Sequence, residues 1–104
     1  MSQPLSPGID KLADCRRQID ALDVKIVALL NERTEIVHEI GRIKRRHSLP
    51  IYEPKREDQV FDNVTSNNPG PLTADALKRI FERIIDEMRT IQQKKMANPT
   101  TPSD

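Results

Sequence analysis

GIDKLADCRRQIDALDVKIVALLNERTEIVHEIGRIKRRHSL, residues 8–49, is free of proline and holds one interior glycine, Gly41. Its other residues are mostly helix-tolerant, so it reads as one long α-helix. Ser6-Pro7 marks the start, with Ser6 as N-cap and Pro7 at the first helical position. The end is expected near His47-Ser48, because the residue before Pro50 is pushed out of the helical region. At 1.5 Å per residue, ~38 helical residues run about 57 Å. A compact domain of about 100 residues has a radius of gyration of only about 13 Å. The rest of a 104-residue chain cannot cover such a helix. Unless it bends sharply, part of its apolar stripe is expected to be buried by another chain.

The stripe is regular. Counting in sevens from Leu12 gives Leu12, Ile19, Ile26, Arg33, Ile40 and His47, and three positions later come Cys15, Leu22, Leu29, Ile36 and Ile43. This approaches a heptad seam, so the first helix alone reads equally well as one strand of a dimeric coiled coil. The remainder points to a bundle. Prolines stand at 4, 7, 50, 54, 69, 71, 99 and 102. Because proline breaks helix interiors, the permitted helices are 8–49, 55–68 and 72–98. Pro54 opens the second, with Val60, Phe61 and Val64 on one side. Asn67-Asn68-Pro69-Gly70-Pro71 is a stop and turn. Thr73 caps the third, whose apolar face is Leu77, Ile80, Phe81, Ile84, Ile85, Met88 and Ile91. The expected fold is all-α, with a long, a short and a medium helix packed as a bundle. It forms a single domain over 9–96, flanked by flexible tails at 1–8 and 97–104.

Composition narrows the classes further. Aromatics at 3%, three glycines and no tryptophan argue against a β-sandwich or barrel. Seventeen basic and sixteen acidic residues leave a net charge of +1, too little field for nucleic acid or an anionic membrane. No apolar run approaches the roughly 18 residues that span a bilayer, and the N-terminus lacks a signal-peptide core. The lone Cys15 cannot form an internal disulfide and suits a reducing, cytoplasmic compartment. By spacing Cys15 is a small core residue. His38 falls on a polar face, and His38, His47 and Cys15 have no metal-ligand spacing. The basic run Arg42 to His47 has no interleaved aromatics.

The informative residues are polar ones inside the apolar faces. Arg33 occupies a central seam position, and Lys44, eleven residues on, returns to within about 20° of the same face. Gln92 follows Phe81, Ile85 and Met88 on the inner face of the third helix. Singly, Arg33 can pair with an internal glutamate and Lys44 can snorkel to solvent. Together, two cations and an amide suggest a pocket for a small dianion, with the Arg33 fork on a carboxylate and Lys44 as a point charge. Arg16 lies ~25 Å and about 100° from Arg33 on an ideal helix, so it does not easily reach that pocket from its own chain, whereas the Arg16 of a partner chain in an antiparallel dimer could. Glu53, Arg56 and Glu57 border the start of the second helix. Neither a Ser-His-Asp set nor a glycine-rich phosphate loop is present. Cations, an amide and a carboxylate suit electrostatic stabilisation of a rearranging anion better than hydrolysis.

These residues resemble the all-helical chorismate mutases. The likeness is carried by ID-x-LD at 19–23, ER at 32–33, G-x-x-K at 41–44, PIYEPKRE at 50–57, NPGPLTADALKRIFERIIDEM at 68–88 and IQ at 91–92. It implies an intertwined homodimer of three-helix chains that converts chorismate to prephenate without cofactor or metal. By resemblance, Arg33 and the Arg16 of a second copy bind carboxylates. Lys44 contacts a carboxylate and the ether oxygen, and Gln92 the other side of that oxygen. Arg56 adds a basic wall, Glu57 accepts the ring hydroxyl, and Glu53 stands near the same hydroxyl. Met88 stands where some members have a serine that helps hold a carboxylate, a bond methionine cannot make. Members occur alone or fused to pathway enzymes and some are activated by a partner synthase, which joins the candidate partners. Two rivals remain at this point: an isochorismate pyruvate-lyase with a similar cationic cage, and a non-catalytic helical dimer.

Overall fold

The computed structural model describes residues 7–97, in three helices: α1 (Pro7–Arg46), α2 (Pro54–Ser66) and α3 (Ala74–Ala97). The expected Ser6 cap and most of both expected tails lie outside the described residues, while Pro7 and Gly8 belong to α1. No helix among the described residues is long and apolar enough to cross a membrane.

The helix boundaries that lie within the described residues have local causes. α1 closes in a Schellman turn: Leu49 N–H donates to the Lys44 carbonyl at 2.8 Å and Ser48 N–H to the Arg45 carbonyl at 3.3 Å. The turn places Ser48 at φ +55, the left-handed region that usually takes glycine. Pro54 opens α2 at its first position. Glu53, at the N-cap, gives α2 no side-chain cap, because its carboxylate is engaged elsewhere. Asn67 ends α2, with its side-chain amide donating to the Asn63 carbonyl at 2.8 Å. Asn68 then organises the turn, accepting from Gly70 N–H at 3.0 Å and donating to the Leu72 carbonyl at 2.7 Å. Gly70 itself needs a positive φ, +80. Thr73 caps α3 as its position predicts, its hydroxyl accepting from Ala76 N–H at 3.1 Å.

The chain divides into two units, through Thr34 and from Glu35 onward. The first is the N-terminal part of α1. Ile9, Leu12, Ile19, Leu22, Ile26 and Leu29 are all exposed there, as is Cys15. Cys15 is therefore not a core residue of its own chain, because this part of the stripe faces outward. Ala13, Leu30, Arg33 and Thr34 are half-buried.

The second unit comprises the end of α1 with α2 packed on α3. Val37, Ile85 and Met88 form its buried apolar centre, flanked by half-buried Val60, Phe61, Val64, Leu77, Phe81, Ile84 and Ile91. Ile80 departs from the expected inner face of α3 and is exposed. His38 departs in the other direction: it is half-buried, beside buried Val37.

Candidate active site

The turn that ends α1 also builds the first part of the site. Lys44 supplies the carbonyl that caps Leu49, and the chain then doubles back past its side chain. The Lys44 ammonium donates to the Ile51 carbonyl at 2.9 Å and pairs with Glu53 Oε1 at 2.8 Å. The residue is only 7% exposed, so it does not snorkel to solvent. An ammonium buried without partners costs several kcal/mol, and these two contacts offset that. They occupy two of its three donors. Its place in the last turn of α1 also favours the cation through the helix dipole.

Gln92 supplies the second part from α3. It is 8% exposed, and it and Lys44 are the buried polar residues among those described. Its stem lies against Gly41: a Cβ at Gly41 would stand 3.8 Å from Gln92 Cγ, an ordinary packing distance. Gly41 and Lys44, three residues apart, are neighbours on the surface of α1. The amide of α3 and the ammonium of α1 thus meet the same side of this unit. Gln92 Oε1 is buried and has no hydrogen-bond partner among the described residues. Such an orphaned acceptor costs about 1–3 kcal/mol, so an amide here is a poor choice for packing alone.

The third part is a carboxylate held by an arginine. Glu57, in the first turn of α2, is half-buried and well placed for the positive end of that helix. It pairs with Arg89 of α3, which donates through Nη2 to Glu57 Oε2. Arg89 Nη1 stands 3.4 Å from Asp86, and the guanidinium lies over the Tyr52 ring, 5.0 Å from its centroid. The hydrogen bond to Glu57 raises the Arg89 pKa above its already high ordinary value. Burial opposes this, and the Glu57, Asp86 and Tyr52 charges add to it. Arg89 is therefore cationic at any pH the fold meets.

Lys44, Glu53, Glu57, Met88 and Gln92, all singled out by sequence, belong to the second unit, where Lys44 pairs with Glu53 and Met88 and Gln92 are buried. Met88 is buried one turn before Gln92, as an apolar wall. Arg56 shares the first turn of α2 but is exposed, its hydrogen bond to Gln59 Oε1 stretched to 3.5 Å. Arg33, half-buried, and Arg16, exposed, belong to the first unit. Arg89 was not legible as a site residue. It sits 32 positions from Glu57, and its only local signal is its place three residues before Gln92. Among the described residues no group of three His, Cys, Asp or Glu is placed to hold a metal ion. A fixed ammonium, a buried amide and an oriented carboxylate are groups chemically suited to hold a small polar anion and to stabilise negative charge.

Comparison with known proteins places the chain in a family. Residues 15–93 match the family described as chorismate mutase type II. The bifunctional chorismate mutase/prephenate dehydratase of Aquifex aeolicus is 33% identical over 90 residues, covering 83% of this chain and 25% of that protein. The chain thus spans about a quarter of the length of that relative. Chorismate mutase (form II) from Thermus thermophilus superposes with a TM-score of 0.80 at 30% identity, covering 82% of this chain and 97% of that one. The Helicobacter pylori chorismate mutase, solved in complex with prephenate, gives 0.79 at 30% identity, covering 85% and 96%. With most of its described length matched in sequence and in fold, the chain belongs to the chorismate mutase type II family.

Proposed function

We propose that this chain is a cytoplasmic chorismate mutase that acts as a homodimer. The observation that carries this is the buried pair Lys44 and Gln92, one paired ammonium and one amide with an orphaned oxygen. The rearrangement of chorismate breaks an ether C–O bond and makes a C–C bond within one molecule. It therefore needs no nucleophile and no general base. Two effects accelerate it: restriction of the flexible enolpyruvyl arm to a reactive conformer, and stabilisation of charge on the ether oxygen as its bond lengthens. Lys44 and the Gln92 amide serve the second effect. Arg33, and Arg16 from a second copy, serve the first by fixing the two carboxylates. Glu57 accepts the ring hydroxyl, with Glu53 close by and Arg56 as a further basic wall, while the carboxylate contact that Met88 cannot make is absent or replaced by water or backbone. The exposed heptad stripe of α1, from Leu12 to Leu29, is the surface a second copy covers. The unpaired Cys15 fits a reducing compartment.

The test is turnover by the purified protein, with chorismate and isochorismate assayed side by side. Chorismate is expected to be converted to prephenate and isochorismate to be left intact. Gln92→Glu sharpens the assay. A protonated Glu side chain can donate to the ether oxygen and an ionised one cannot. Activity should survive below the pKa of the introduced carboxyl and fall above it, which moves the optimum to acid. Chorismate consumed no faster than in buffer removes the activity. A Gln92→Glu profile identical to that of the wild type removes Gln92 from the ether oxygen.

A further inference from the structure

Arg89 has no part in the proposed reaction, yet it contacts two carboxylates and an aromatic ring. It is gripped from three directions: Glu57 on α2, Asp86 one turn back on its own helix, and the Tyr52 ring on the segment that enters α2. Its side chain is 28% exposed and that of Glu57 23%, so the pair is not a rim contact that solvent screens away. Arg89 Nε is buried with no hydrogen-bond partner among the described residues. The guanidinium has therefore given up hydration to keep this geometry. Its contact with Glu57 uses Oε2 and leaves Oε1 able to accept a further donor. A glutamate without such a partner keeps side-chain entropy that is lost each time a ligand is bound.

We propose that Arg89 is a positioning residue, which fixes the Glu57 carboxylate on α2 against α3, one turn from Gln92, so that the acceptor for the ring hydroxyl is set before substrate arrives. This rests on the functional reading above, in which Glu57 takes that hydroxyl. The contact is the same in the ground state and the transition state, since the hydroxyl is not a reacting group. Its loss therefore acts on KM more than on kcat. A lysine at 89 keeps the charge but not the planar fork.

The experiment is a double-mutant cycle on Arg89 and Glu57, read by steady-state kinetics on chorismate and by thermal melting. Arg89→Met, which keeps an apolar stem, is expected to raise KM about tenfold with kcat changed less than about threefold. Arg89→Lys should recover part of that loss. Combined with Glu57→Gln, Arg89→Met should add almost nothing, because both act on the same contact. An unchanged KM in Arg89→Met, or a double variant that loses the full product of the two single effects, overturns the proposal. If Arg89→Met melts before assay, the same cycle with Arg89→Lys decides by the same criterion. A wild-type protein that does not turn over chorismate overturns the functional reading and the proposal with it, a result distinct from an additive cycle.

Discussion

The two units of this chain differ in how much of their apolar surface they bury. In residues 7–34, Leu12, Ile19, Leu22, Ile26 and Leu29 are all exposed, Leu29 at 62%. In residues 35–97, Val37, Ile85 and Met88 are buried, and Lys44 and Gln92 are buried with them. Both units follow the helical period, so pattern alone does not separate them. The second unit buries a few apolar side chains in a small core beside an ammonium and an amide, although Ile36, Ile40 and Ile43 of its part of α1 stay exposed. The first presents its own at heptad spacing to the outside. Full burial of one such side chain is worth about 1.5–3 kcal/mol, so covering the exposed stripe in the proposed homodimer would supply a large driving force.

The strongest test of this contrast lies in the second unit. Lys44→Ala should lower kcat/KM on the order of 10³-fold in a chorismate assay, with helicity by circular dichroism unchanged, since alanine suits a helix. Near-normal turnover would show that the buried ammonium belongs to the architecture and not to the chemistry. The first unit is probed by Ile26→Asp, which puts a charge in the middle of the stripe. Its dissociation constant, from sedimentation or light scattering, should rise by at least about 10²-fold. A mass in solution equal to that of the wild type at every concentration would mean that the stripe does not hold the copies together. The smallest effect compares one residue from each unit. Ile85→Val removes a buried methylene and should cost about 1 kcal/mol, several degrees in Tm at fixed protein concentration. Val24→Ala, on a side chain 69% exposed and off the heptad seam, should cost less than about 0.5 kcal/mol. Equal losses at the two positions would erase the distinction between the units.

Much of the architecture was legible because its causes are local. Pro54 opens α2 and Thr73 caps α3 where their chemistry requires, and α1 ends within two residues of the expected His47-Ser48. Lys44 and Gln92 stood out because a polar side chain that interrupts an apolar face must either escape to water or find partners. The left-handed Ser48 was not legible, since serine carries none of glycine's preference for positive φ. Cys15 and His38 were misplaced for a related reason. A helical period marks which face a residue shares, but not which faces the rest of the chain covers. The Glu57–Arg89 pair was invisible, because no spacing rule links residues 32 positions apart.

Sequence by itself determined three helices, their approximate limits, and the presence of cations and an amide inside apolar faces. These follow from proline geometry, capping and the 3.6-residue period, all of which act within a turn or two. Only the tertiary structure decided that Lys44 is buried against Ile51 and Glu53, that Gln92 packs on Gly41 with an unsatisfied oxygen, and that Arg89 holds Glu57. The physical reason is range: burial and ion pairing depend on which distant segments fold back together, and no local property of the chain encodes that meeting.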